Sequence, residues 1–213
     1  MLIIPEIETV VILPPRTGTG SLYRTVLAEY PKAFMPYRHM EADGVPFGYD
    51  RWRRVGVLRH PESRMWSLYN YLKTFGIEHA VRPEYDEHNR IQRAQVEGRT
   101  FEEWLVDNQV IFTSQHDQTG GGGFHPQYAC KHPYAENRKS QFYYLRPDLG
   151  TEIVPYSPDA SAIGARLGLE VPRSTNVVAP GEPPLLGLLG RDHMTKFHRW
   201  DFEACDSLSI PLA

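Results

Sequence analysis

The sequence feature that most constrains the fold is an apolar run that leads directly into a glycine-rich turn. Residues 10–13 (Val-Val-Ile-Leu) are of buried-strand type, and residues 14–21 (Pro-Pro-Arg-Thr-Gly-Thr-Gly-Ser) follow them. Apolar residues then recur at helical spacing, at Leu22, Tyr23, Val26, Leu27 and Tyr30. This pattern predicts a strand, a tight loop and a helix. Because the first N–H groups of a helix lack partners and carry the positive end of its dipole, the loop is suited to bind an anion such as phosphate.

The loop differs from two common nucleotide-binding loops. It lacks the Gly-Lys pair of nucleoside triphosphatase loops, and Tyr23 stands where a dinucleotide fingerprint has its third glycine. It resembles instead the 5′-phosphosulfate-binding loop of the sulfotransferases, Pro-Lys-x-Gly-x-[Ser/Thr]-Ser, with Arg16 in place of the lysine. The resemblance implies that Arg16 neutralises the bridging and leaving oxygens of the phosphosulfate. It also implies that N–H and hydroxyl groups of the following residues bind the phosphate: Thr17, Gly18, Thr19, Gly20 and Ser21.

Length and charge limit the class of protein. The chain has 213 residues, of which 41% are apolar and 23% charged, as expected for one soluble globular domain spanning residues 1–213. A net charge of −3 argues against a general nucleic-acid binder, so an anion site must be built locally from a few arginines. Cys130 and Cys205 cannot form a disulfide framework, and neither a signal peptide nor an apolar run of the ~20 residues that cross a bilayer is evident. The predicted location is the cytoplasm, with no membrane span.

A second strand-to-helix unit follows the first. Residues 53–58 predict a strand, Pro61 suits the first helical position, and apolar residues then repeat at helical spacing. Residues 59–69 (Arg-His-Pro-Glu-Ser-Arg-Met-Trp-Ser-Leu-Tyr) match the sulfotransferase 3′-phosphate motif, Arg-x-Pro-x-x-Arg-x-x-Ser-x-Tyr, at every fixed position. The resemblance implies that Arg59 and Ser67 bind the 3′-phosphate of the sulfate donor, 3′-phosphoadenosine 5′-phosphosulfate. Arginine offers a fork of donors suited to phosphate, and Ser67 lies off the apolar stripe, where it is expected to face a ligand. The alternative is an exposed helix with a surface arginine and a solvated serine.

The rest of the chain carries weaker patterns. Thr100 and Glu103 form a capping box that opens a helix. Residues 76–99 are predicted to be a variable excursion and the glycine run at 120–123 a mobile substrate loop. The other predicted elements are short strands at 33–40, 142–145 and 152–156, an N-capped helix at 157–169 and a closing helix at 189–202.

The acceptor hydroxyl needs a base whose pKa lies near the working pH, which favours histidine. In related uronyl and dermatan-type sulfotransferases a histidine just after the second strand is the base, and the resemblance gives this role to His39. His125 and Glu41 are reserve candidates. Residues 124–130 resemble the His-x-x-Pro-Gln…Cys element of membrane-type carbohydrate sulfotransferases, although the spacing between His and Pro is shorter here. Arg173, within a segment that resembles the family's loop over the nucleotide, is a candidate contact to a donor phosphate.

These observations predict a three-layer αβα domain with a mainly parallel central sheet and a P-loop-like nucleotide site. The predicted function is sulfuryl transfer from 3′-phosphoadenosine 5′-phosphosulfate to a hydroxyl acceptor, a carbohydrate, without a metal, since no His/Cys/Asp cluster has ligand spacing. Two alternatives stay open. One is a P-loop kinase or nucleotide hydrolase with an altered loop. The missing lysine argues against it, as does the lack of an acidic residue at a strand end that could bind magnesium. The other is a non-catalytic module that binds a nucleotide or a sulfated glycan. This alternative stays open because Arg16 stands in place of the family's lysine.

Overall fold

Among the residues that the structure describes, four strands form one mixed, mostly parallel sheet. The computed structural model describes residues 1–36, 39–74, 94–107, 140–170 and 181–212. In the order in which they pair, the strands are β1 (Leu2–Ile4), β2 (Thr9–Ile12), β3 (Arg53–Leu58) and β4 (Glu152–Pro155). The pair β1–β2 is antiparallel, whereas β2–β3 and β3–β4 are parallel. The predicted α/β class and the mainly parallel sheet are therefore confirmed.

The described part of the chain holds six α-helices: α1 (Thr19–Glu29), α2 (Pro61–Thr74), α3 (Phe101–Val106), α4 (Phe142–Leu145), α5 (Ser161–Leu167) and α6 (Leu188–Ser207). Short 3-10 turns lie at Pro5–Ile7, Ala42–Gly44 and Pro147–Leu149. Helix α2 begins at its proline, and the capping box of Thr100 and Glu103 opens α3, as predicted. Helix α6 confirms the predicted closing helix and is kinked at His198, where φ is −128°. No helix among the described residues is long and apolar enough to cross a membrane.

Two apolar clusters cover the sheet. Side chains of a strand alternate between its faces, and in β2 Val10 and Ile12 belong to one cluster while Val11 belongs to the other. The first cluster includes buried residues of α2, α3, α4 and α6, and the second includes buried residues of α1 and α5. All of residues 10–13 are fully buried, as expected for a strand covered on both sides. This arrangement is compatible with a three-layer αβα domain.

The strand predicted at residues 33–40 is wrong for the residues of this range that the structure describes, 33–36 and 39–40, while residues 37–38 lie outside them. Its only described pairing is a single bridge between Phe34 and Ile3. Pro36 follows two residues later and has no N–H to continue a ladder, which accounts for the early end of the pairing.

The strand predicted at residues 142–145 is also wrong, because these residues form the single helical turn α4. The backbone N–H groups of Gln141 and Phe142 and the hydroxyl of Ser140 all donate to the carboxylate of Asp201, which caps the turn from a distant helix. A four-residue apolar run in the sequence does not indicate that a carboxylate about 60 residues further along the chain caps it.

The helix predicted at 157–169 is shorter, beginning at Ser161. Its N-cap is Ala160, which supplies no side-chain hydrogen bond, although the Ser157 hydroxyl accepts one from the N–H of Ala162 at 3.1 Å. Ile163 and Leu167 are buried, as predicted. The glycine run at 120–123 and residues 76–93 of the predicted excursion lie outside the described residues.

Candidate anion-binding site

The loop between β2 and α1 lies where the carboxyl ends of two parallel strands meet. Strands β2 and β3 are parallel neighbours, so the loops that follow them lie at the same edge of the sheet. Gly18 is the N-cap of α1, with a left-handed φ of 83° and no side-chain hydrogen bond to the helix. Arg16 is also left-handed, with φ 70°. The first turn of α1 therefore has no side-chain cap from its N-cap residue, as an anion site at a helix start requires.

The structure brings together Arg16, Arg59 and Ser67 from two strand-to-helix units. The Nε and Nη2 groups of Arg16 each lie 3.2 Å from the hydroxyl oxygen of Ser67 in α2. Arg59, directly after β3, donates from Nη1 to the carbonyl oxygen of Arg16 at 3.2 Å. We call these three residues, with the first turn of α1, the anion site. It joins the two motifs that the sequence analysis singled out.

Two buried side chains of the anion site have polar atoms without a hydrogen-bond partner among the described residues. Arg59 is 8% exposed and Thr19 is 6% exposed, and neither the Nε of Arg59 nor the Oγ1 of Thr19 has a hydrogen-bond partner among the described residues. Leaving such groups unsatisfied costs about 1–3 kcal/mol each. Burial lowers the pKa of Arg59; the phenol of Tyr156 opposes this shift, and the positive charges of Arg16 and Arg64 add to it. A bound anion would satisfy the donors and offset the gathered positive charge.

The hydroxyls of Thr17 and Ser67, two of the predicted phosphate contacts, have partners within the protein. Thr17 is buried and donates to the carbonyl oxygen of Pro14 at 2.7 Å, so its hydroxyl holds the loop in shape. Ser67, expected to face a ligand, is only 5% exposed and accepts the hydrogen bonds from Arg16. Gly18 and Gly20 are exposed and Ser21 is half-buried.

The predicted base, His39, lies beside the start of the loop. Its Nδ1 is 2.9 Å from the carbonyl oxygen of Leu13, the residue just before the loop. Because a carbonyl oxygen can only accept, Nδ1 carries the proton, and in the neutral ring Nε2 then holds the lone pair. A histidine acts as a base through the nitrogen that holds the lone pair, which here is Nε2. The reserve candidate Glu41 is 2% exposed and its charge acts on the Met1 amino group, whereas His125 and Arg173 lie outside the described residues.

Two buried side chains that the sequence analysis did not assign fix the backbone of the anion site. Arg64 is fully buried and donates from Nε to the carbonyl oxygen of Pro15 at 3.2 Å. Gln141 bonds both backbone groups of Arg59: its Oε1 accepts from the N–H at 3.0 Å, and its Nε2 donates to the carbonyl oxygen at 2.7 Å. Arg64 occupies a fixed position of the second motif and could have been found from it. Gln141 carries no local signal.

In comparisons with known proteins, no family model, no curated protein and no solved structure matches this chain. The inference of function therefore depends on the chemistry of the anion site.

Proposed function

We propose that the chain is a sulfotransferase with a P-loop-like fold, which moves the sulfuryl group of 3′-phosphoadenosine 5′-phosphosulfate to a hydroxyl of a carbohydrate. The observation that carries the proposal is the direct hydrogen bonding between the two motifs. Arg59 bonds the carbonyl oxygen of Arg16, and the guanidinium of Arg16 bonds Ser67. The motif resembling a 5′-phosphosulfate loop and the motif resembling a 3′-phosphate element thus adjoin, as one nucleotide bound to both would require.

The charge of the anion site favours a nucleotide with two separate phosphates. A nucleoside triphosphate lines its phosphates along one loop, usually with a lysine and magnesium. A 3′,5′-bisphosphate instead carries its phosphates on opposite sides of the ribose. Arg16 and Arg59 belong to two different strand ends, and each supplies a planar fork of donors that suits a phosphate group.

The chemistry follows from these positions. In sulfuryl transfer the acceptor oxygen attacks sulfur as the bond between sulfur and the bridging oxygen breaks, so negative charge builds on the departing bisphosphate. Arg16 and the N–H groups at the start of α1 would stabilise that charge. Arg16 stays protonated near neutral pH and supplies charge and hydrogen bonds, not a proton. The Nε2 of His39 would take the proton of the acceptor hydroxyl. The metal-free reaction and the cytoplasmic location stay predictions.

Ligand-induced thermal stabilisation tests the proposal. Adenosine 3′,5′-bisphosphate is expected to raise the melting temperature, because a ligand that binds only the folded state stabilises it, whereas ATP with magnesium is not. Arg59→Ala is expected to abolish the shift. Arg53→Ala is the matched control, since Arg53 lies at the other end of β3, with a side chain 45% exposed and paired with Glu152. Equal shifts with ATP and magnesium would favour a kinase or hydrolase instead.

Transfer of labelled sulfate to a panel of hydroxyl compounds that includes saccharides separates an enzyme from a binding module. His39→Ala is expected to lose transfer while it keeps the thermal shift with adenosine 3′,5′-bisphosphate. Turnover at the wild-type rate in this variant would remove His39 as the base. Binding of the bisphosphate without transfer to any member of the panel would favour the non-catalytic module.

A further inference from the structure

The carboxylate of Asp201 is the centre of a buried polar network that the proposed reaction does not use. Asp201 lies in α6 and is fully buried. It accepts hydrogen bonds from the hydroxyl of Ser140 at 2.7 Å, from the N–H of Gln141 at 2.9 Å and from Nδ1 of His198 at 3.2 Å. A buried carboxylate is costly unless it is paired, so this arrangement needs all of its partners.

One arm of this network leads to the loop between β2 and α1. The Nη1 of Arg64 lies 3.9 Å from the Asp201 carboxylate, and the Nε of Arg64 donates to the carbonyl oxygen of Pro15. Both side chains are fully buried. Arg64 thus links the carboxylate of Asp201 to the Pro15 carbonyl at the start of the loop.

The other arm leads to Arg59. Asp201 holds the backbone N–H of Gln141, and the side chain of Gln141 bonds both the N–H and the carbonyl oxygen of Arg59. This pair of bonds fixes the backbone from which the Arg59 side chain enters the anion site. The two arms start from one carboxylate and end at the two motifs.

The charge of Asp201 suits this position. Burial acts to raise the pKa of Asp201, but the hydrogen bond from His198 and the charges of His198 and Arg64 outweigh it, so that the pKa lies below its ordinary value. The group is then a carboxylate at neutral pH and attracts the Arg64 guanidinium.

We infer that Asp201 is a positioning residue that holds the 5′-phosphate loop through Arg64 and the 3′-phosphate element through Gln141. The inference rests on the proposed function for the identity of the two phosphates. The coupling of the two elements is a property of the ligand-free protein and does not depend on the proposed function.

Calorimetric titration with adenosine 5′-monophosphate and adenosine 3′-monophosphate tests the two arms separately. Asp201→Asn is expected to weaken binding of both nucleotides by about tenfold, the change produced by about 1.4 kcal/mol of lost interaction. Gln141→Met, which removes only the second arm, is expected to weaken binding of the 3′-monophosphate alone. Asp43→Asn is the matched control, because Asp43 is a buried carboxylate that pairs with Arg146 at 2.9 Å and contacts neither arm in the described structure.

Hydrogen exchange of the ligand-free protein provides the second measurement. Amides of residues 16–21 and of Arg59 are expected to exchange faster in Asp201→Asn than in wild type, and at the wild-type rate in Asp43→Asn. Should Asp201→Asn fail to fold, Gln141→Met is expected to show faster exchange at Arg59 only.

The outcomes separate the two proposals. If the wild type binds neither monophosphate nor the bisphosphate, the proposed function fails, and the exchange rates alone decide whether Asp201 couples the two elements. If Asp201→Asn folds and keeps wild-type affinity and exchange, the positioning role is overturned. Loss of stability in both Asp201→Asn and Asp43→Asn, with unchanged affinity in each, would leave Asp201 a structural residue only and would equally overturn the inference.

Discussion

Both arginines of the anion site pack against aromatic rings. The guanidinium of Arg16 lies 4.4 Å from the centre of the Tyr71 ring, and that of Arg59 lies 4.6 Å from the centre of the Tyr156 ring. Tyr156 reaches this place because its N–H bonds the carbonyl oxygen of Leu58 at 2.8 Å, which continues the parallel pairing beyond β4. A ring face stabilises a guanidinium without occupying its N–H groups, so neither ring contact uses a hydrogen-bond donor of these arginines.

Substitution of Tyr156 should separate the ring from its hydroxyl. Tyr156→Leu removes the aromatic face, and since a partly desolvated cation–π contact contributes about 0.5–2 kcal/mol, we expect affinity for adenosine 3′,5′-bisphosphate to fall about two- to thirtyfold. Tyr156→Phe keeps the face and is expected to bind as the wild type does. Calorimetric titration of the three proteins checks this. Equal losses in both variants would show that the hydroxyl, not the ring face, matters.

The residues at and around the anion site differ in whether neighbouring residues in the sequence are enough to predict their place in it. Arg16, Arg59 and Ser67 were predicted because each lies in a short motif next to a strand end. Tyr156 and Gln141 were not, because their roles depend on contacts with Arg59 that form only when distant parts of the chain meet. Asp201 lies in the predicted closing helix, and its contacts with Ser140, Gln141 and Arg64 are likewise tertiary.

At the scale of elements, β2 was predictable because a strand that is buried on both faces of a parallel sheet reads as a continuous apolar run, whereas β3 and β4 carry shorter apolar stretches next to polar residues. The turn α4 was not, since its position is set by packing. Leu145 of α4 lies against the backbone of β3 at Gly56: a Cβ built on this glycine would come within 2.4 Å of Leu145 Cδ2 and 3.1 Å of Thr151 Cγ2. The glycine thus leaves room for α4 on the sheet.

Gly56→Ala tests this packing. The propensity of a strand interior alone would make alanine stabilising relative to glycine. The close approach of Leu145 predicts the opposite sign, a loss of about 1–3 kcal/mol in the free energy of unfolding, which urea denaturation measures.

The control is the double variant with Leu145→Ala. Removing the obstructing side chain is expected to make Gly56→Ala less harmful in that background than in the wild type, a coupling that a double-mutant cycle detects. A Gly56→Ala protein at least as stable as the wild type would contradict the packing argument.

At the scale of the whole molecule, α6 links the anion site to the packing of the helices. Its Asp201 contacts the arms described above, and one turn later Cys205 is 2% exposed in the core cluster that includes residues of α2 and α3. Burial raises the pKa of the Cys205 thiol to about 12, with added contributions from the charges of Asp201 and Asp206. Such a thiol reacts only when α6 separates from the core, because the thiolate is the reactive form.

Modification of Cys205 should therefore report whether α6 opens independently of the anion site. In a Cys130→Ser background Cys205 is the single thiol, since the chain has two cysteines. If opening disrupts the site, adenosine 3′,5′-bisphosphate at about 100 times its Kd should slow the reaction with a thiol reagent about 100-fold, because bound ligand suppresses the open form by the factor 1 + [L]/Kd. The same ligand concentration should give much less protection in the Arg59→Ala protein. A rate unchanged by the ligand, in a protein that still shows the thermal shift, would mean that α6 opens while the anion site stays intact. The two arms from Asp201 would then not couple the helix to the site.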